Sequence, residues 1–234
     1  DLNTFALGFE LKALIPLRIS NITDSRAVQV SGLGGYLFGI LDQNSEISSI
    51  YIKSSQFVYS LFKYNENSPP SLIVKTENYI GLNGENTPVK IILPQKLKNK
   101  VVILYPGASP TAEQHPKMDM IGRLLTQIGF TVYIPRIPPL KNLDISETNV
   151  QWFIHFYRWV LDIKKVIPQQ IIMMGVSYGG GIMLRTIFKI NGQLPPPKTI
   201  LTYGTYSNAE SMLKFLLNGK ITVDRKTYQT TPHE

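Results

Sequence analysis

The run Gln170-Ile171-Ile172-Met173-Met174-Gly175-Val176-Ser177-Tyr178-Gly179-Gly180-Gly181 decides how this chain is read. Ile171 to Met174 is an unbroken apolar stretch, the composition of a strand covered on both faces, and Ile182 to Ile190 follows as a helical run. Between them Gly175 to Gly179 spells G-x-S-x-G. A serine on so sharp a strand-to-helix turn takes a strained backbone conformation. The residues two before and two after it approach so closely that a Cβ would clash, which calls for Gly175 and Gly179. Ser177 Oγ is then lifted clear of the sheet. The Tyr178 amide points from the N-terminus of the new helix toward developing negative charge. A nucleophile with one oxyanion donor is one reading of this string. A tight turn needed only for helix–sheet packing is the other.

Working outward, the flanking segments supply the same alternation. Val101 to Tyr105 is a second continuous apolar run and ends abruptly at Pro106-Gly107. Met118, Ile121, Leu124, Leu125 and Ile128 recur at helical spacing, with Pro116 at the start and Gly129 at the end. Thr131 to Ile134 reads as the next strand. The clearest helix holds Trp152, Phe153, Phe156, Trp159, Val160, Ile163, Val166 and Ile167, with Asp144 or Ser146 as its cap and Pro168 as its stop. Thr199 to Tyr203 reads as one more strand, Ala209 to Leu217 as a helix, and Ile221 to Val223 as a short strand. Upstream, Ser71 to Tyr79 and Pro88 to Leu93 are strand-like, and Gly81 to Asn86 carries the Gly and Asn that a hairpin turn needs for positive φ. A hairpin followed by strand–helix–strand units predicts an α/β fold with a mostly parallel sheet and helices on both faces.

Residues 1–69 read as a mixed α/β extension ahead of a core over 70–234, with the polar, proline-stiffened Asn65 to Pro70 as the boundary. Leu2, Phe5, Leu7, Phe9, Leu11 and Leu14 predict an amphipathic helix, either buried or in peripheral contact with a membrane surface. Gln56 to Tyr64 predicts a short helix. Gly32, Gly34 and Gly35 lack the spacing of a phosphate loop and read as a bend.

Composition removes whole classes of function. The 234 residues are 43% hydrophobic with only 17 Gly and 16 Pro, which excludes a disordered or collagen-like chain, and zero Cys excludes disulfide scaffolds and thiolate metal sites. The net charge of +8 is scattered and forms no arginine-rich stripe interleaved with aromatics, so nucleic acid is not an expected partner. Three isolated histidines show no metal-ligand spacing, and no dinucleotide fingerprint is present, so neither metal nor cofactor is expected. Absence of cysteine is compatible with cytosol, periplasm or secretion.

From about Ser71 to Asn218 the chain resembles the α/β-hydrolase superfamily: the opening hairpin, Val101 to Gly107 as a third strand with its loop, and the serine turn. The resemblance implies that the Ala108 amide joins that of Tyr178 in an oxyanion hole. It departs from the His-Gly that the family often has at this loop, since Tyr105-Pro106-Gly107-Ala108 stands here. Tyr178 with Gly179 to Gly181 is similar to the turn of both esterases and prolyl-oligopeptidase-type peptidases.

A serine needs a base oriented by a carboxylate, and the family's chain order is Ser, acid, His. His115 and His155 precede Ser177 and read as structural. His233 is the candidate base, and Asp224 and Glu210 are the candidate acids. Only 57 residues follow Ser177, too few for two further strand–helix units of about 30 residues each. The expectation is therefore a truncated hydrolase whose base and acid strands lie beyond residue 234, with a lid beginning at 219–234. The implied activity is cleavage of a carboxylic ester, with a small ester or acyl compound as substrate. A peptidase or amidase of the same fold and a noncatalytic binding protein are the alternatives.

Overall fold

The predicted hairpin opens at Ile73, and the alternation of strands and helices begins at Val101. In the computed structural model, which describes residues 55–65, 70–96, 99–205, 217–223 and 226–229, the chain divides into two compact units, Asp1–Ser68 and Pro69–Glu234. In the first unit residues 55–63 are helical, as the sequence predicts for Gln56 to Tyr64. The N-terminal amphipathic run and the Gly32 to Gly35 bend lie outside the described residues.

The second unit opens with strands β1 (Ile73–Ile80), β2 (Asn86–Leu93) and β3 (Val101–Tyr105). Helix α1 (Pro116–Gln127), strand β4 (Thr131–Pro135) and the short helix α2 (Pro138–Lys141) follow. Helix α3 (Thr148–Asp162), strand β5 (Ile171–Val176), helix α4 (Tyr178–Ile190) and strand β6 (Thr199–Tyr203) complete the main layer set. The main sheet has the order β1-β2-β4-β3-β5-β6. β1, β2 and β4 pair antiparallel, and the remaining pairs are parallel. Strands β7 (Lys220–Val223) and β8 (Lys226–Gln229) form a separate antiparallel pair.

Strand periodicity splits the core between the two faces of the sheet. Val101, Ile103 and Tyr105 of β3 join Phe153, Phe156 and Val160 of α3 and Ile182 and Met183 of α4 on one face. Val102 and Leu104 join Met118, Ile121 and Leu125 of α1 on the other. All five residues of β3 are buried, which is why its sequence is continuously apolar. The Tyr105 ring stacks on Phe153 with centroids 4.0 Å apart, and its hydroxyl donates to the Phe153 carbonyl at 3.0 Å. Burying each such ring contributes about 2–3 kcal/mol.

Boundaries differ from expectation at three places, each for a physical reason. α3 ends at Asp162, not at Pro168. Its last turn unwinds through Lys165, which has φ +54°, while the Lys164 and Val166 amides donate back to the Trp159 and Val160 carbonyls. Val166 still packs on the core, so the apolar period outlasts the helix. The Asp144 side chain accepts from the Ser146 amide in a turn and does not cap α3, and Glu147 stands at the cap position with its side chain paired to Arg185 and making no capping bond to the helix. In the β1–β2 turn only Gly84 has positive φ. Gly81 is required for space, because a Cβ there would stand 2.6 Å from Thr87 Oγ1 and from the Trp152 ring.

α1 is fastened to the sheet by charge. Asp119 pairs with Lys90 of β2 at 2.5 Å and with Arg123 at 2.6 Å, and Arg123 also donates to the Pro70 carbonyl at 2.9 Å. Burial alone would raise the Asp119 pKa, but the hydrogen bonds from Lys90 and Arg123 outweigh it and hold the carboxyl below its ordinary 3.8. A carboxyl depressed by folding contributes stability above its unfolded pKa, and that contribution is lost as pH falls through the lower, folded value. Asp119→Asn should therefore lower the melting temperature at pH 7 and flatten its fall below about pH 4, as read by circular dichroism across pH. Equal acid limbs in the two proteins would contradict this. Among the described residues no helix is long and apolar enough to cross a membrane.

Candidate functional site

Strand order places the switch point of the sheet, where a ligand crevice is expected, beside Ser177. From β3 the chain passes through α1 to β4 on one side. From β4 it returns through α3 to β5 on the other side of β3. The carboxyl ends of β3 and β5 therefore diverge into loops that leave in opposite senses, the place where parallel α/β sheets bind ligands. Ser177 follows β5 directly at this point, and the segment Pro106 to Ser109 follows β3.

Ser177 is exposed, with φ +52° and ψ −127°. This region is sparsely populated for any residue with a Cβ and costs on the order of 1–3 kcal/mol, so the surroundings must enforce it. Its amide donates to the Tyr203 carbonyl of β6 at 2.8 Å. Its carbonyl accepts from the Gly180 amide at 3.0 Å and from the Thr205 hydroxyl at 3.3 Å. The flanking glycines are needed for close approach. A Cβ on Gly175 would stand 2.6 Å from Gly180 Cα, and a Cβ on Gly179 would overlap the Pro106 carbonyl oxygen. α4 accordingly begins at Tyr178 and runs through Gly179 to Gly181, earlier than the run from Ile182 suggests.

The loop after β3 lies against this turn. A Cβ on Gly107 would be 3.2 Å from Ser177 Cβ, 3.3 Å from the Val176 carbonyl oxygen and 3.7 Å from Ser177 Oγ. Ala108 comes next, half-buried against the core. Among the described residues its amide donates to no carbonyl, whereas the Ser109 amide donates to Leu140 at 3.2 Å. Tyr178 puts its backbone at the N-terminus of α4, packs its ring on the same core, and donates its hydroxyl to the Ile145 carbonyl at 2.5 Å. The structure thus gathers Ser177, Tyr178, Gly175, Gly179 and the Gly107-Ala108 segment at one end of the sheet.

Two histidines are engaged elsewhere. His115 caps α1, its Nδ1 accepting from the Lys117 amide at 3.1 Å. His155 Nε2 lies 2.6 Å from the Ile80 carbonyl at the end of β1. β1 is four strand spacings from β5, about 19 Å across the sheet. His233, Asp224 and Glu210 lie outside the described residues. Among the described residues no group of three or more His, Asp or Glu is placed to hold a metal ion.

Sequence reasoning missed one element of the site's frame. Glu113 is buried in a single 3-10 turn, Ala112–Gln114, and pairs with Arg136 just beyond β4, at 2.5 Å from one guanidinium nitrogen and 3.1 Å from Nε. A charge pair between residues 23 apart leaves no periodic or motif signal. A shallow cleft of about 470 Å³ opens on the flank of α3 and α4 beside Arg158, Phe188 and Asn191. Phe188 is about 16 Å along α4 from Ser177, so this cleft is separate from the crevice.

No family model matches the chain, and no curated protein matches it. Among solved structures, the Francisella virulence factor BioJ is similar over 73% of this chain and 56% of its own, with a TM-score of 0.50 and 17% identity. A fungal esterase from Rhizomucor miehei is similar over 72% of this chain and 56% of its own, with a TM-score of 0.50 and 12% identity. The chain therefore spans a little over half the length of each. Sheet order, crossovers and these similarities agree: the chain has the α/β-hydrolase fold.

Proposed function

We propose that this chain carries the nucleophile and oxyanion donors of a serine hydrolase acting on small carboxylic esters. The observation that carries the reading is the exposed Ser177, held at φ +52° at the carboxyl ends of β3 and β5 with Gly107 packed against it. Ser177 Oγ attacks the ester carbonyl carbon and gives its proton to a base. The amides of Tyr178 and Ala108 stabilise the oxyanion. The alcohol leaves with that proton, and water then cleaves the acyl-enzyme. The fungal esterase among the similar structures supports an ester as substrate, and a peptidase or amidase would use the same steps.

In this reading residues 70–234 form the core, residues 1–69 an appendage, and residues 219–234 the start of a lid. The separate β7–β8 pair favours that lid. The base is supplied from outside the described residues, with His233 as one candidate. A second reading, a noncatalytic binding protein of the same fold, is favoured by the engagement of His115 and His155 elsewhere. Steady-state hydrolysis of a p-nitrophenyl ester series by the native protein and by Ser177→Ala separates the two. Turnover that depends on Ser177 supports the hydrolase, and equal rates in both proteins support the binding protein.

A further inference from the structure

An oxyanion donor works only if it is held in place to within about 0.5 Å, and a loop does not hold itself. From Pro106 to His115 the chain has no regular structure except the 3-10 turn at Ala112–Gln114. Its first end is set by β3, through the buried, stacked Tyr105. Its middle is tied by the Ser109 amide to Leu140. Its far end carries Ala112 at φ +47°, a left-handed conformation in a buried residue with a Cβ, which persists only if neighbours enforce it.

The next residue in the chain is Glu113. Its carboxylate, 3% exposed as a residue, receives Arg136 Nε at 3.1 Å on each oxygen and a second guanidinium nitrogen at 2.5 Å. Arg136 is itself nailed to the sheet: its amide donates to the Pro88 carbonyl at 3.0 Å, and its carbonyl accepts from the Tyr79 hydroxyl at 2.5 Å. The guanidinium fork fixes direction as well as distance, which a single ammonium or an apolar contact does not. The loop beside Ser177 is thereby referred to β1, β2 and β4, away from the crevice it serves.

We infer that Glu113 and Arg136 are positioning residues whose partly buried ion pair holds the loop after β3 so that the Ala108 amide faces the carbon attacked by Ser177. This rests on the hydrolase reading above. In this role the pair acts through the loop and not on substrate, so substrate affinity is preserved when the pair is broken, while stabilisation of the oxyanion is lost.

The test uses the native protein, Glu113→Gln and Arg136→Lys, with kcat and KM on a p-nitrophenyl ester and amide hydrogen exchange of residues 106–112. Glu113→Gln is expected to lower kcat by about 10- to 100-fold with KM within about twofold. Exchange of the loop should rise about tenfold while β3 and β5 are unchanged. Arg136→Lys keeps the charge and loses the fork, and should show a smaller loss of the same kind. It also supplies the reading if Glu113→Gln does not fold.

Folded variants with native loop exchange would overturn the inference, including a case in which kcat falls only with the folded fraction. A native protein with no Ser177-dependent turnover would sink the hydrolase reading by itself. A loop that loosens in Glu113→Gln even then would still show that the pair holds it.

Discussion

Ser177→Ala should lower kcat toward esters by at least about 1,000-fold and leave stability within about 0.5 kcal/mol of the native protein. The second half of that expectation comes from the backbone. Serine and alanine share a Cβ, so the strain at φ +52° is the same in both, and the serine side chain makes no capping hydrogen bond that the change would remove. Ser177→Gly should be as inactive but more stable by about 1 kcal/mol, because glycine adopts positive φ without the penalty. A pair of variants equally dead and differently stable would show that the strain serves the chemistry and not the fold. Urea unfolding supplies the stabilities, and retention of activity in Ser177→Ala would refute the nucleophile.

Gly179→Ala is the second large effect, and its sign is diagnostic. Gly179 lies in the first turn of α4, where helix propensity alone predicts that alanine stabilises by about 1 kcal/mol. Contact geometry predicts the reverse, since the new Cβ would overlap the Pro106 carbonyl oxygen, part of the backbone that leads β3 into the Gly107-Ala108 loop. Backbone has no rotamer to give way. The expected loss is about 3 kcal/mol, and the displaced loop would carry Ala108 away from Ser177. A variant as stable as the native protein by urea denaturation would mean that the helix and the loop are not packed as described.

Much of this was legible before any coordinates, because the signals involved are local. The continuous apolar runs at Val101 to Tyr105 and Ile171 to Met174 mark strands covered on both faces; the structure buries β3 throughout, whereas in β5 Ile171 and Met173 are buried and Ile172 and Met174 half-buried. The start of α1 at Pro116 follows from proline's fixed φ. The glycines around Ser177 announce close approach, and the Cβ geometry at Gly175 and Gly179 gives the reason. What failed was of another kind. The end of α3 is not marked in the sequence, because Ile163, Val166 and Ile167 keep the helical period beyond Asp162, where the helix ends and the backbone turns through Lys165. The apolar run from Ile182 marks only the later part of α4, whose first turn is Tyr178 to Gly181. The Glu113–Arg136 pair and the left-handed Ala112 were invisible, since both arise from tertiary packing between elements 23 residues apart. For the acid and base, Glu210, Asp224 and His233 lie outside the described residues, and the two histidines within them are held by the Lys117 amide and the Ile80 carbonyl.

The central claim is that Ser177 is a nucleophile beside an oxyanion hole. The most direct measurement is the reaction of the native protein with a fluorophosphonate, read by intact and peptide-level mass spectrometry. Ser177 Oγ displaces fluoride at phosphorus, and the phosphoryl oxygen occupies the place of the oxyanion. One phosphonyl group per chain is expected, located on Ser177 and absent from Ser177→Ala. A native protein that stays unlabelled, or that is labelled equally in Ser177→Ala, would contradict it.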